Sequence, residues 1–188
     1  MLGSLARPLN ALGLIAISVV LLVAFVGQLV YGELPCPLCL LQRVGFVIVG
    51  AGLALNVLCA PRPSHYGLML LGAAVGAAVA LRQIALHVVP GTGAYGDPFL
   101  GLHYYTWAFV LFAVVVAGSG IMLLLESQFS DSRHGRGGRG ALGGFAVGLF
   151  ALMVLANGVS TVLECGGGLC PDNPTTYQLL DQFRSTAR

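Results

Sequence analysis

Apolar residues run almost unbroken through five stretches of the 188-residue chain, and polar positions collect in the gaps between them. The stretches fall near 10–31, 40–59, 66–89, 104–125 and 141–163. Each matches the roughly 20 helical residues that cross a bilayer core. The pattern predicts an all-α fold: a polytopic membrane helix bundle in which residues 1–188 form one integral membrane domain. The first run follows Arg7 and has the look of a signal peptide. It is too long for the apolar region of one and no small-x-small cleavage site follows, so it is expected to be a retained span.

Composition supports this picture. Hydrophobic residues make up 57% of the chain and charged residues 9%, where a soluble domain carries about a quarter charged. Mean hydropathy is +0.89. A formal charge of +2 gives no reason to expect a nucleic-acid partner. The 27 glycines are scattered through the oily runs, which suits close helix packing in lipid. Gly72 with Gly76, and Gly144 with Gly148, have GxxxG spacing and are expected at helix contacts.

Arginines in short connections set the orientation. Arg7, Arg62 in the second connection, and Arg133, Arg136 and Arg139 in the fourth place those segments on the cytoplasmic side. The first connection, Gly32 to Cys39, and the third, Pro90 to His103, contain no lysine or arginine and fall outside. Five spans then put the carboxy-terminal tail outside too. Cysteines follow compartment logic on this topology. Cys36 and Cys39, and Cys165 and Cys170, are external pairs, and Cys59 is a lone thiol on the reducing side.

Two pairs could in principle make a four-thiolate zinc site, but an external compartment and a pair at a helix mouth argue against a metal. Cys165 and Cys170 would close a loop too short to constrain much chain entropy, which suits a bond that opens and closes better than a staple. Cys36 and Cys39 lie at the start of a helix whose dipole favours a thiolate. Arg43 follows Cys39 by four residues, on the same helix face and about 6 Å into the span. Arg82 lies eight residues before Pro90, roughly 12 Å from the same surface. Intramembrane arginines are costly and usually functional, although Arg43 is shallow enough to snorkel. With Gln42, Gln83 and His87 they form a polar cluster near one membrane face. Such a cluster suits a membrane-soluble molecule with carbonyl oxygens, and a quinone fits that description. His87 is as readily a packing residue as a proton donor.

PCPLCLLQR, Pro35 to Arg43, resembles the motif between the first and second spans of the disulfide bond formation protein B family, DsbB. FLGLHYYTWAF, Phe99 to Phe109, is similar to the segment leading into the family's fourth span. The resemblance covers roughly residues 10–125. It implies a four-helix DsbB-like core, here with a fifth transmembrane helix, in the bacterial inner membrane. It further implies a thiol oxidase that re-oxidises a periplasmic thioredoxin-fold, DsbA-like partner and passes the electrons to ubiquinone or menaquinone. Cys36 and Cys39 would be the quinone-coupled pair and Arg43 the quinone contact; the polar cluster read from the residues themselves adds Arg82, Gln83 and His87 as candidate cofactor contacts. One departure stands out. The family's second cysteine pair lies between spans three and four, where this chain has PGTGAYGDPFLGLH without cysteine. Cys165 and Cys170, in LECGGGLCPDNP, are expected to take over the shuttle role from a periplasmic tail, with the amino terminus cytoplasmic.

Two other readings compete. A vitamin-K-epoxide-reductase-like enzyme also joins a CxxC to a helix bundle, but carries it near the end of a later span. A transporter or assembly factor with structural disulfides would pair Arg43 and Arg82 with acids, and Glu33 and Glu164 are available. In the tail, Asn173 and Pro174 are expected to start a helix with an apolar stripe of Tyr177, Leu180 and Phe183, lying on the membrane or docking a partner. Tyr104, Tyr105 and Trp107 suit an interfacial aromatic belt.

Overall fold

The computed structural model describes residues 2–89, 91, 98–131, 140–166 and 168–186. Arg133, Arg136, Arg139, Gly167 and half of the third connection lie outside the described residues. The fold is all-α. Five helices are long and apolar enough to cross a membrane. They are α1 (Leu2–Val30), α2 (Pro37–Cys59), α3 (Pro63–His87), α4 (Tyr104–Leu124) and α6 (Ala141–Cys165). Two short helices, α5 (Ser127–Asp131) and α7 (Gln178–Thr186), complete the fold.

The helices start where local chemistry dictates. α2 and α3 open on Pro37 and Pro63, whose missing N–H and fixed φ suit a first turn. The apolar runs begin three residues later, so hydropathy alone placed these starts late. α6 ends on Gly166, which adopts φ 62° and donates its N–H to the Val162 carbonyl at 3.0 Å. Asn173 and Pro174 do not start the tail helix. α7 begins at Gln178, and Asp181 N–H donates to the Tyr177 carbonyl.

α2 is the central helix. It packs on α1 and α3, and also touches α6, while α3 carries α4 and α1 carries α6. Lipid chains are as apolar as leucine, so close packing and buried polar bonds hold these helices together rather than water exclusion. Gly45 and Gly76 bring α2 and α3 into near-contact, a Cβ on Gly45 falling 3.0 Å from the Gly76 Cα. Phe112 fills the space over Gly76 and stacks on Phe46 with ring centroids 4.1 Å apart. Gly72 lies against Ile48. This GxxxG pair therefore works as expected. Gly144 and Gly148 do not: a Cβ on either would meet nothing within 4 Å. The packed face of α6 runs through Gly143, Ala146, Phe150, Met153 and Asn157, which turns Gly144 and Gly148 outward.

A buried polar cluster locks the end of the bundle near Cys59. Tyr66 accepts from Asn10 Nδ2 and donates to Gln128 Oε1, both at 2.9 Å. Asn56 Nδ2 donates to Asn10 Oδ1 at 2.9 Å, and its own Oδ1 meets His65 Nδ1 and the Arg62 N–H. Gln128 also donates to the Met122 carbonyl. The cluster ties α1, α2, α3 and α5 together.

Candidate redox site

The opposite end of the bundle carries both cysteine pairs. Each is closed as a disulfide, Cys36 to Cys39 and Cys165 to Cys170. Cys59 is free and exposed at the far end of α2. Cys36 is the N-cap of α2, and its sulfur accepts the Cys39 N–H at 3.2 Å. The pair therefore sits on the positive end of the helix dipole, where an anionic sulfur is stabilised. Cys36 is buried and Cys39 is half-buried.

Gln83, from α3, lies directly on this disulfide. Its Nε2 is 3.4 Å from the Cys36 sulfur and 3.5 Å from the Cys39 sulfur. Its Oε1 accepts from Gln42 Nε2 at 2.7 Å, which fixes the direction of the amide. Both side chains are buried. An amide aimed this way meets the sulfurs with N–H donors in an environment of low dielectric, where such bonds are strong.

Arg43 crosses the bundle from α2. Nη1 donates to Gln28 Oε1 at 2.9 Å and to Asn157 Oδ1 at 3.1 Å, and Nη2 donates to the Ala24 carbonyl at 3.0 Å. Three acceptors hold the guanidinium, and all three are neutral. Two of its five N–H groups remain for another ligand. Gln28 in turn donates to Ser160 Oγ at 2.8 Å and to Tyr177 Oη at 3.1 Å. Arg43 thus joins the helix that begins at the first pair to the helix and tail that bear the second. Of the two acids open to a transporter or assembly factor, Glu164 interacts with Arg43 electrostatically, but no carboxylate among the described residues forms a close ion pair with it.

Cys39, Gln42, Arg43 and Gln83 line a cavity of about 320 Å³, together with Gln28 and Glu33. Most of its other lining residues are apolar side chains of α1 and α4, among them Val20, Val23 and Leu111. α1 and α4 barely touch each other, so the cavity lies in a cleft between them. Phe99, Tyr104, Tyr105 and Trp107 also line it, and Trp107 Nε1 donates to the Phe99 carbonyl at 2.8 Å.

Of the residues expected at the site, Cys39, Arg43 and Gln83 come together at the cavity. Arg82 is exposed on another face of α3 and does not line it. His87 also stays outside: its Nδ1 donates to the Gln83 carbonyl at 2.8 Å and its ring stacks on Tyr105 at 5.4 Å. Gln28 and Asn157 were missed in the sequence. Each is a lone polar residue inside an apolar run, which was the available signal. Tyr104, Tyr105 and Trp107, expected in an interfacial belt, also line the cavity.

Five membrane-crossing helices with two disulfides at one end, one of them against an apolar cavity with a polar tip, define a polytopic membrane disulfide protein. Residues 6–94 match the family model described as disulfide bond formation protein DsbB. Three similar curated relatives are each named disulfide bond formation protein B. That of Chromobacterium violaceum is 38% identical over 114 residues, 56% of this chain and 68% of the relative. That of Chromohalobacter salexigens is 36% identical over 93 residues, 47% of this chain and 54% of the relative. That of Xanthomonas axonopodis pv. citri is 31% identical over 116 residues, 58% and 67% respectively. No solved structure matches. The chain belongs to the DsbB family of membrane disulfide-bond formation proteins. α6 and the tail pair lie beyond the residues that the family model matches.

Proposed function

We propose that this protein is a thiol:quinone oxidoreductase of the bacterial inner membrane, with the disulfide end of the bundle facing the periplasm. The observation that carries the proposal is the placement of Cys39 and Arg43 in the wall of one apolar cavity between α1 and α4. Ubiquinone or menaquinone suits this cavity. The apolar side chains of α1 and α4 that line the cavity suit an isoprenoid tail, and Arg43 and Gln42 offer N–H donors to the ring oxygens beside Cys39. About 320 Å³ is at the small end of ligand pockets and suits a single ring. A quinone held there supplies an acceptor for two electrons and two protons.

The residues of the chain do the rest. A periplasmic thioredoxin-fold dithiol attacks the Cys165–Cys170 disulfide as thiolate and leaves it reduced through a mixed disulfide. The tail dithiol reduces Cys36–Cys39 by the same exchange. The α2 amino terminus and the Gln83 amide stabilise the Cys36 or Cys39 thiolate so formed. Arg43 supplies positive charge where negative charge develops. A DsbA-like partner has a couple near −120 mV, so an acceptor as oxidising as a quinone is needed to drive its re-oxidation.

Trp107 is the single tryptophan of the chain and lines the cavity. Titration of detergent-solubilised protein with a short-chain ubiquinone or menaquinone analogue should quench its fluorescence saturably. Arg43→Ala should weaken that binding at least tenfold. Linear, non-saturating quenching in both proteins would remove the cavity as the quinone site.

A further inference from the structure

Glu164 is fully buried, on the last turn of α6, and neither carboxylate oxygen has a hydrogen-bond partner among the described residues. A buried carboxylate with no donor is expensive, and a neutral residue of the same size would fit the bundle at lower cost. Its surroundings suggest what the acid is for. The next residue is Cys165, also buried, and Cys165 is bonded to the more exposed Cys170. Polar groups near this end of α6 include Arg43 from α2, Gln28 from α1, and Tyr177, Gln178 and Gln182 from the tail. Arg43 interacts electrostatically with Glu164 but does not form a close ion pair with it. Glu164 thus has one fixed positive charge nearby, a redox sulfur as its chain neighbour, and no structural bond to make.

We propose that Glu164 is the proton-exchanging group of the tail disulfide: neutral while Cys165–Cys170 is closed, and ionised once the bond opens. The inference rests on the tail pair being redox-active. The partner thiolate attacks the accessible Cys170 sulfur. A Cys170–partner S–S bond forms, the Cys165–Cys170 bond breaks, and the Cys165 sulfur leaves with the electron pair. Glu164 gives that sulfur its proton, directly or through one water. The carboxylate left behind is stabilised by Arg43. The partner's second thiol then resolves the mixed disulfide, closing the partner's own disulfide and passing its proton to Cys170. When the tail dithiol is next oxidised, Glu164 takes back the Cys165 proton and generates the attacking thiolate.

The test uses the full-length protein with Cys36, Cys39 and Cys59 changed to serine, so that dithiothreitol acts on the tail pair alone and no quinone is needed. The wild-type tail should open with loss of a protonated-carboxyl infrared band. Glu164→Gln should lack that band and slow the opening by roughly a hundredfold, the scale of general acid catalysis. Glu164→Asp should restore part of the rate and the band. Thermal midpoints matched between the variants separate this from a folding defect. Unchanged rate and band in Glu164→Gln would overturn the inference while leaving the relay intact. A tail pair that resists dithiothreitol at every pH would overturn both. If Cys165→Ser in the otherwise complete protein still reduces quinone at full rate, the relay alone fails, and a Glu164-dependent band would still support the proton role.

Discussion

Gln83→Leu removes the amide from the Cys36–Cys39 pair while nearly preserving side-chain volume. In the wild type, Nε2 lies 3.4 and 3.5 Å from the two sulfurs. A hydrogen bond to a charged acceptor contributes about 1.5–3 kcal/mol. At roughly 1.4 kcal/mol per factor of ten, its loss lowers the thiolate population about ten- to a hundredfold. A less stabilised thiolate is intrinsically more nucleophilic, with a Brønsted coefficient of about 0.4–0.5, which offsets nearly half of the loss on a logarithmic scale. The net expectation is a fall of roughly 3- to 10-fold in alkylation rate. The assay is iodoacetamide labelling at neutral pH, followed by mass spectrometry. It uses reduced protein in which Cys59, Cys165 and Cys170 are serine. Gln42→Leu should give a smaller fall, because it leaves the Gln83 amide in place but no longer fixes its direction. An equal or faster rate in Gln83→Leu would refute the assignment of this amide to the sulfurs.

Three further outcomes are expected. Gly76→Val should lower stability by about 1–3 kcal/mol, because even a Cβ falls 2.2 Å from Phe112 Cζ and forces the Phe46–Phe112 stack apart; thermal denaturation in detergent reads this, whereas Gly144→Val should be silent. Tyr66→Phe should also cost about 1–3 kcal/mol, by removing the buried hydroxyl that accepts from Asn10 and donates to Gln128, with quinone quenching of Trp107 unchanged because the cluster lies at the other end. Opening Cys165–Cys170 should lower stability by no more than about 2 kcal/mol on a chain-entropy estimate for so short a loop, measured as the thermal shift of Cys165→Ser.

The architecture was legible because lipid imposes one rule on every span. Five apolar runs became five crossing helices; α2 and α3 start ahead of their runs on prolines, whereas α1 starts at Leu2, ahead of its run, and continues through Pro8. Which glycines pack was less legible. Gly72–Gly76 and Gly144–Gly148 have the same spacing, but only the first pair lies on a face that meets other helices. The face of α6 is set by Phe150, Met153 and Asn157 together, and a four-residue motif does not contain that information. At the site, helix periodicity placed Arg43 beside Cys39 correctly. Depth along the span put Arg82 and Gln83 in one cluster, although adjacent helical residues point about 100° apart. Gln83 turns inward to the sulfurs and Arg82 turns away. Gln28, Asn157 and Tyr177 meet Arg43 from α1, α6 and the tail, and contacts between distant segments leave no local signature.

The central claim is that electrons travel from the tail pair through Cys36–Cys39 to quinone. The direct measurement follows quinone absorbance after mixing purified protein with a reduced thioredoxin-fold oxidase, for wild type, Cys36→Ser and Cys165→Ser. The account predicts turnover in the wild type and its loss in both variants. Turnover of Cys165→Ser at the wild-type rate, or an inert wild type, would contradict it.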